Sequence, residues 1–274
     1  MDRVVKDIKD LTFLNWSKIR ESSGTAGSFL KSYIKYQNKK IYFKLSDYNN
    51  IDNNFGHECI NEIIIDRLLD ILGVEHLKYY LINSKIYLDD KMINTYVCAS
   101  LDFKEKGEVK NSFDTFYELK KFKNEGILEF CERYGFTDYI YNMIIVDYII
   151  LNRDRHGANI EVLYDERANK YRIAPIFDHG LSLLCKTEEQ DLDNFDVMED
   201  KKTNSFIGSR SLLDNLKLVK KMPKLNSLKV EDKEKLFYKL EGIISKKRIE
   251  KTWEMIWKRW CYYESLCNKE WILS

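Results

Sequence analysis

The stretch from Leu151 to Gly180 constrains this chain most. It holds two β-rich runs, residues 159–163 and 171–177, joined by a polar turn, Asp165-Glu-Arg-Ala-Asn169. Such a pair reads as an antiparallel hairpin. Asp154 precedes the first run and Asp178 follows the second, so closing the hairpin brings both carboxylates to one end. Asn159 lies five positions after Asp154, and Asp178 lies nineteen after Asn159. Asn152-Arg-Asp-Arg-His156 alone reads as a solvated loop, and Phe177-Asp-His-Gly180 alone as a turn after a strand. Placed together by a hairpin, they read as a site.

The chemistry such a set suits is phosphoryl transfer. One carboxylate accepts or orients a hydroxyl proton, while an amide oxygen and a second carboxylate hold the magnesium ion that bridges phosphates. The spacing of Asp154 and Asn159 matches that of the protein kinase catalytic loop, which is likewise followed by a metal-binding Asp.

Composition removes several other classes. The 274 residues carry 45 Lys and Arg against 44 Asp and Glu, so there is no basic footprint for nucleic acid or an anionic membrane. No apolar run approaches the roughly 20 residues a membrane span needs. The first ten residues lack an apolar signal core, so a cytoplasmic protein is expected. The six cysteines show no CxxC spacing and read as reduced thiols.

Along the chain, the first twenty residues read as a short helix or arm anchored by Leu11, Phe13, Leu14 and Trp16. A loop, Ser22-Ser-Gly-Thr-Ala-Gly-Ser28, then opens a hairpin of residues 29–36 and 41–45, with Lys44 on the second strand. In a nucleotide-binding lobe this arrangement covers phosphates with backbone N–H groups and brings an ammonium to them; otherwise it is a plain hairpin. Residues 58–72 recur at helical spacing and end at Gly73, a C′ glycine. On that helix Glu58 and Glu62 share a face, which reads either as the partner of Lys44 or as a solvated acidic face. Residues 79–82, 85–88 and 94–101 read as strands. Backbone groups around Val97, Cys98 and Ser100 are expected to meet an adenine edge, on position alone.

Beyond Ser112 the chain reads as mainly helical. A helix capped by Thr137 or Asp138 runs to Ile150, with Asp147 either bracing the catalytic loop or half exposed. Residues 188–200 read as a mobile acidic loop. Two final helices, residues 230–245 and 247–273, carry a core stripe of Trp253, Trp257, Trp260 and Trp271.

Taken together, Gly24-Thr-Ala-Gly-Ser28, Tyr42-Phe-Lys-Leu45, Asn61-Glu62, Asn152-Arg-Asp-Arg-His-Gly-Ala-Asn159 and Ala174-Pro-Ile-Phe-Asp-His-Gly-Leu-Ser-Leu183 resemble the HipA-like serine/threonine kinases, which are distantly similar to phosphatidylinositol kinases. The resemblance covers roughly residues 20–215. It implies an α+β, bilobal protein-kinase-like fold. A small β-rich lobe with one key helix would span residues 1–101, and a larger, mainly helical lobe residues 102–274.

The same resemblance implies ATP and Mg²⁺ as cofactors. Asp154 would be the catalytic Asp, with Lys44 and its partner Glu62 beside the phosphates. Asn159 and Asp178 would be the metal ligands, and Gly24, Thr25, Ala26, Gly27, Ser28 and His156 further nucleotide contacts. The implied activity is transfer to a Ser or Thr hydroxyl of a protein substrate. Self-modification would fall on Ser22, Ser23, Thr25 or Ser28, because Gly24 stands near the position of the usual family serine. A small antitoxin-like protein partner belongs to the same picture. Full-length toxins meet their antitoxin through an extra N-terminal subdomain, and this sequence reaches the Gly-rich loop within about twenty residues, so the expectation is either a separately encoded partner that supplies that part or a protein that acts alone. A kinase for small molecules or lipid head groups, or a catalytically silent nucleotide-binding module, are the competing readings.

Overall fold

The computed structural model describes residues 2–17, 29–49 and 54–273. In chain order its strands and helices are β1 (Val4–Asp10), β2 (Lys31–Tyr36), β3 (Lys39–Leu45), β4 (Tyr48–Asn49), β5 (Asn54–Phe55) and α1 (Glu58–Leu72). Then come β6 (Tyr79–Leu88), β7 (Lys91–Leu101), β8 (Glu108–Ser112), α2 (Phe113–Lys120), α3 (Ile127–Arg133) and α4 (Thr137–Ile149). The rest are β9 (Asp154–Arg155), β10 (Glu161–Asp165), β11 (Lys170–Ile173), β12 (Asn204–Ser205), α5 (Leu212–Leu216), α6 (Asp232–Phe237) and α7 (Lys246–Leu273). This is a mixed α+β fold: a five-stranded sheet and its helix, then a mainly helical part that includes a small three-stranded sheet.

The large sheet runs β1-β6-β7-β3-β2. Gln37 and Asn38, both at positive φ, form the tight β2–β3 turn, and Asp89 and Asp90 do the same between β6 and β7. One face of the sheet packs on α1, where Ile63, Leu68 and Leu69 join Val4, Leu81 and Cys98 in the main core. Burying each large aliphatic chain contributes about 1.5–3 kcal/mol. Phe43, Leu45, Val97 and Ala99 point to the other face, which Leu11 and Leu14 cover. Helix α1 ends where Gly73 turns left-handed at φ 74°. The second, three-stranded sheet runs β11-β10-β8 and contains the expected hairpin, Val162 pairing with Ile173.

The structure corrects several expectations. Residues 4–10 form a strand parallel to β6, not a helix or arm. Residues 79–88 form one continuous strand. Helix α4 has Phe136, not Thr137 or Asp138, as its N-cap, and no side chain caps it. Residues 188–200 are tied down: Leu192 and Val197 are buried, and Arg259 donates to the carbonyls of Val197 and Glu199 at 2.8 Å each. Only α6, far shorter than residues 230–245, precedes α7. In α7, Trp253 and Trp260 are buried, whereas the Trp271 side chain lies outside the described residues.

Candidate active site

Lys44 lies on the α1-facing side of β3. Its ammonium is 3.0 Å from Glu62 Oε1 and is also paired with Asp178. Glu62 is fully buried, and its carboxylate accepts two more hydrogen bonds, from the backbone N–H groups of His179 (2.9 Å) and Gly180 (3.1 Å). One side chain of α1 therefore fixes both the lysine and the segment after Asp178. Burial works against the Lys44 charge, but the carboxylates of Asp178 and Glu62 outweigh it and push its pKa up. Burial raises the Glu62 pKa, with Lys44 pulling the other way. Glu58 points elsewhere, accepting from the Asp47 N–H at 3.1 Å and the Cys185 thiol at 3.2 Å.

Asp178 sits at φ 60°, a left-handed conformation that L side chains rarely adopt, so its backbone is strained at the candidate metal position. Its N–H donates to the Tyr79 hydroxyl at 3.2 Å, and burial keeps that phenol protonated. Gly180 permits close packing of this turn: a Cβ there would come within 3.0 Å of the Glu58 Cβ. Asn61 holds the same turn from α1, donating to the carbonyls of Gly180 (3.0 Å) and Ser182 (2.9 Å).

The loop before β10 is organised by Arg155. This guanidinium, 1% exposed, forms a buried pair with Asp147 at 2.9 Å. One of its terminal nitrogens donates to the carbonyls of Asn159 (3.2 Å) and Phe177 (2.7 Å); the other meets His179 Nδ1 at 3.1 Å. The backbone at Asn159 and the residue before Asp178 thus share one clamp. Asn159 donates its amide N–H to the Asp154 carbonyl at 2.9 Å, which fixes the orientation of its side-chain amide. Asp154 Oδ1 accepts from Asn204 Nδ2 at 3.0 Å, and Oδ2 lies 3.8 Å from His156 Nε2. Asn152 steadies the turn by accepting from the Asp154 N–H at 3.1 Å and donating to Asp147 at 2.8 Å.

A cavity of about 640 Å³ separates the two sheets. Among the described residues, Lys44, Cys98, Ser100 and Asp178 belong to its wall, whereas Val97, Asp154, His156 and Asn159 do not. The expected adenine contact through the backbone of Val97, Cys98 and Ser100 is corrected. Each of these residues pairs with β3 on one side and β6 on the other, so its main-chain groups are committed to the sheet. Two-sided pairing ends with Ser100, and Leu101 pairs with β3 alone. Gly24, Thr25, Ala26, Gly27 and Ser28, with Ser22 and Ser23, lie outside the described residues.

Sequence reasoning gave no role to Arg155, Tyr79 or Asn204. Arg155 carried a weak signal, an arginine inside the motif eight residues after an Asp in an apolar helix. The other two are brought in by strand pairing alone.

The oxygen donors fit a magnesium ion completed by phosphate and water: one carboxylate and one amide oxygen, too few for an all-protein cage.

No protein-family model matches the chain. The serine/threonine-protein kinase CtkA of Helicobacter pylori is 21% identical over 192 residues, which cover 66% of this chain and 57% of that relative's length. A crystal structure of the H. pylori proinflammatory kinase CtkA superposes with a TM-score of 0.61 at 19% identity, over 98% of this chain and 99% of that one. A Shewanella oneidensis structure of HipA, HipB and operator DNA matches with a TM-score of 0.42 at 13% identity, over 90% of this chain and 58% of that one. In sequence this chain is similar to the HipA-like serine/threonine kinases, and its fold is that of CtkA.

Proposed function

We propose that this chain is a bilobal, ATP- and magnesium-dependent kinase that phosphorylates a serine or threonine hydroxyl of a protein, with its lobes meeting near residues 101–102. The observation that carries this is the buried contact of Lys44 with both Glu62 and Asp178, backed by the Arg155 clamp that ties Asp178's segment to Asn159. The likeness to CtkA supports the same activity.

In this reading Lys44, oriented by Glu62, holds the nucleotide phosphates, and Asn159 and Asp178 hold the metal. Magnesium-ATP, when bound, supplies the electrophilic phosphorus and neutralises its own phosphate charge. Asp154 receives or orients the proton of the acceptor hydroxyl, its carboxylate aimed by Asn204. Arg155 keeps the loop and the metal-binding turn in register from behind, without touching substrate. The cavity between the sheets takes the nucleotide partly out of bulk water, which strengthens each of these charge interactions.

The test is phosphate transfer from radiolabelled ATP to a protein acceptor, followed by phosphoamino-acid analysis. Wild type should label Ser or Thr in the presence of Mg²⁺. Asp154→Asn should lower kcat by about 10²–10⁴-fold while ATP affinity stays close to wild type. Full activity in Asp154→Asn, or transfer to small molecules but to no protein, would overturn this assignment.

A further inference from the structure

The geometry points to Lys110 and Glu161 as the pair that reads the nucleotide base. They would select a purine edge that sets a hydrogen-bond acceptor next to an N–H donor, as adenine and guanine both do. This rests on the nucleotide reading of the cavity.

Both side chains are on the cavity wall, Lys110 from β8 and Glu161 from β10, across from the sheet face that bears Lys44. The Lys110 ammonium is 2.8 Å from Asp102 and 3.8 Å from Glu161, and it stands 4.1 Å from the centre of the Phe103 ring and 5.8 Å from that of Tyr42. Tyr42 precedes Lys44 by two positions on β3, so the two share a face of the sheet about 7 Å apart. The cavity therefore has two charged ends. One holds Lys44 with Glu62 and Asp178; the other holds Lys110 with Asp102 and Glu161. A nucleotide with its phosphates at Lys44 directs its base toward Lys110.

The surroundings at that end suit a base. Phe103 and Phe177, with ring centres 5.5 Å apart, line the same wall, and Tyr33 and Tyr42 face them from the large sheet. Aromatic rings provide stacking surface for any base, so they carry no selection. The charged groups do. An ammonium offers three N–H donors, and a carboxylate has room for about four donors. Lys110 can hold Asp102 and Glu161 and still donate to a ring nitrogen or carbonyl of a base. Glu161 can keep Lys110 and also accept from the neighbouring amino or ring N–H. A solvated surface pair would leave these side chains in water, yet Lys110, Asp102 and Glu161 are only 11%, 12% and 7% exposed.

The experiment measures nucleotide affinity by calorimetry. ATP, GTP and purine riboside triphosphate, which lacks the amino group of ATP, are each titrated into wild type, Lys110→Met and Glu161→Met. Wild type should bind ATP about 10-fold or more tightly than purine riboside triphosphate, and this ratio should approach one in Glu161→Met. Lys110→Met should weaken ATP by a similar factor. GTP binding on a par with ATP assigns the pair to the order shared by both bases, and rejection of GTP narrows it to adenine. Equal wild-type affinity for ATP and its deaminated analogue, with turnover intact, would overturn this inference alone. Binding of no nucleotide would overturn the cavity assignment as well. If one variant fails to fold, the other decides: ATP affinity equal to wild type in Lys110→Met, or an unchanged preference for ATP over its deaminated analogue in Glu161→Met, would overturn the assignment.

Discussion

Helix α1 carries two ionic clusters of like make-up and opposite design. Glu62, Asp66 and Asp70 follow one another at four-residue spacing and so fall along one side of the helix. At the N-terminal end Glu62 meets Lys44 and Asp178 at the edge of the large cavity. At the C-terminal end Arg3 pairs with both Asp66 and Asp70, and Lys78 adds a second contact to Asp70. His76 lies 3.3 Å from Asp66, and Asp66 also accepts from the Tyr79 N–H at 3.1 Å. Ligand atoms of Asp66, Asp70 and His76 lie within 4.8 Å of one another, close enough to hold a cation, but Arg3 and Lys78 already supply the positive charge. Buried charge alone thus fails to mark a site. The distinguishing features are a lysine that borders a cavity and a carboxylate held on a strained turn.

Substitution of the two cations separates the ends most sharply. Lys44→Met should lower kcat by about 10²–10³-fold, the scale expected for losing one group that stabilises transition-state charge. Arg3→Met should leave kcat near wild type in the same steady-state assay. Within the cavity end, Glu62→Ala should lower activity well beyond Glu58→Ala, because Glu58 serves Asp47 and Cys185 instead. Equal effects of Lys44→Met and Arg3→Met would erase the contrast.

Stability tests the two ends through the carboxylates that each substitution leaves without its cation. Arg3→Met strands the buried carboxylate of Asp66 and should cost about 3 kcal/mol in urea unfolding. Lys44→Met strands Glu62, whose pKa burial already raises, and loss of the ammonium raises it further. A carboxyl raised in the folded state favours folding at low pH. That contribution is complete below its unfolded value, near 4.5, and is lost as pH rises through the folded value. Lys44→Met should therefore match wild type most closely in acid and fall behind it as pH climbs. A deficit independent of pH would show that Glu62 is not the group left uncompensated.

The spacing of Lys44, Glu62, Asp154, Asn159 and Asp178 was legible in the sequence because each lies at a landmark: a strand after a tight turn, a periodic helix with its C′ glycine, the two ends of a hairpin. The clamp was not, because Arg155 works through Asp147, Phe177 and His179, and no local pattern announces which carbonyls an arginine will reach. Strand β1 was hidden by its composition. Along Val4–Asp10 only Val4 is buried, so an edge strand of alternating charge reads as an exposed arm. The adenine contact was misplaced because periodicity shows that residues 94–101 form a strand but not that both of its sides are paired up to Ser100. The loop at residues 188–200 was misread for a related reason: its anchors, Arg248 and Arg259, sit on α7, roughly 60 residues away in sequence.

The smallest effect tests the cavity end from the residue that starts α1. His57 is the N-cap of that helix and makes no side-chain capping bond. Burial lowers its pKa to about 4, with the charge of Arg248 adding to the effect and Glu189 opposing it. The helix N-terminus, a region of partial positive charge, likewise disfavours the protonated ring. The unfolded chain, with an imidazole near 6.5, therefore takes up this proton before the folded one does. For a base lowered by folding, the stabilisation is complete above the unfolded value and declines as pH falls from 6.5 toward 4. In full the shift corresponds to about 3 kcal/mol, and solvent at the half-buried ring reduces that to about 1–2 kcal/mol. His57→Gln removes the titrating group, so its stability should fall less steeply than wild type over that window while the two keep the same slope above pH 7. Parallel curves from pH 7 to 4 would mean that the ring is solvated rather than half-buried at the start of α1.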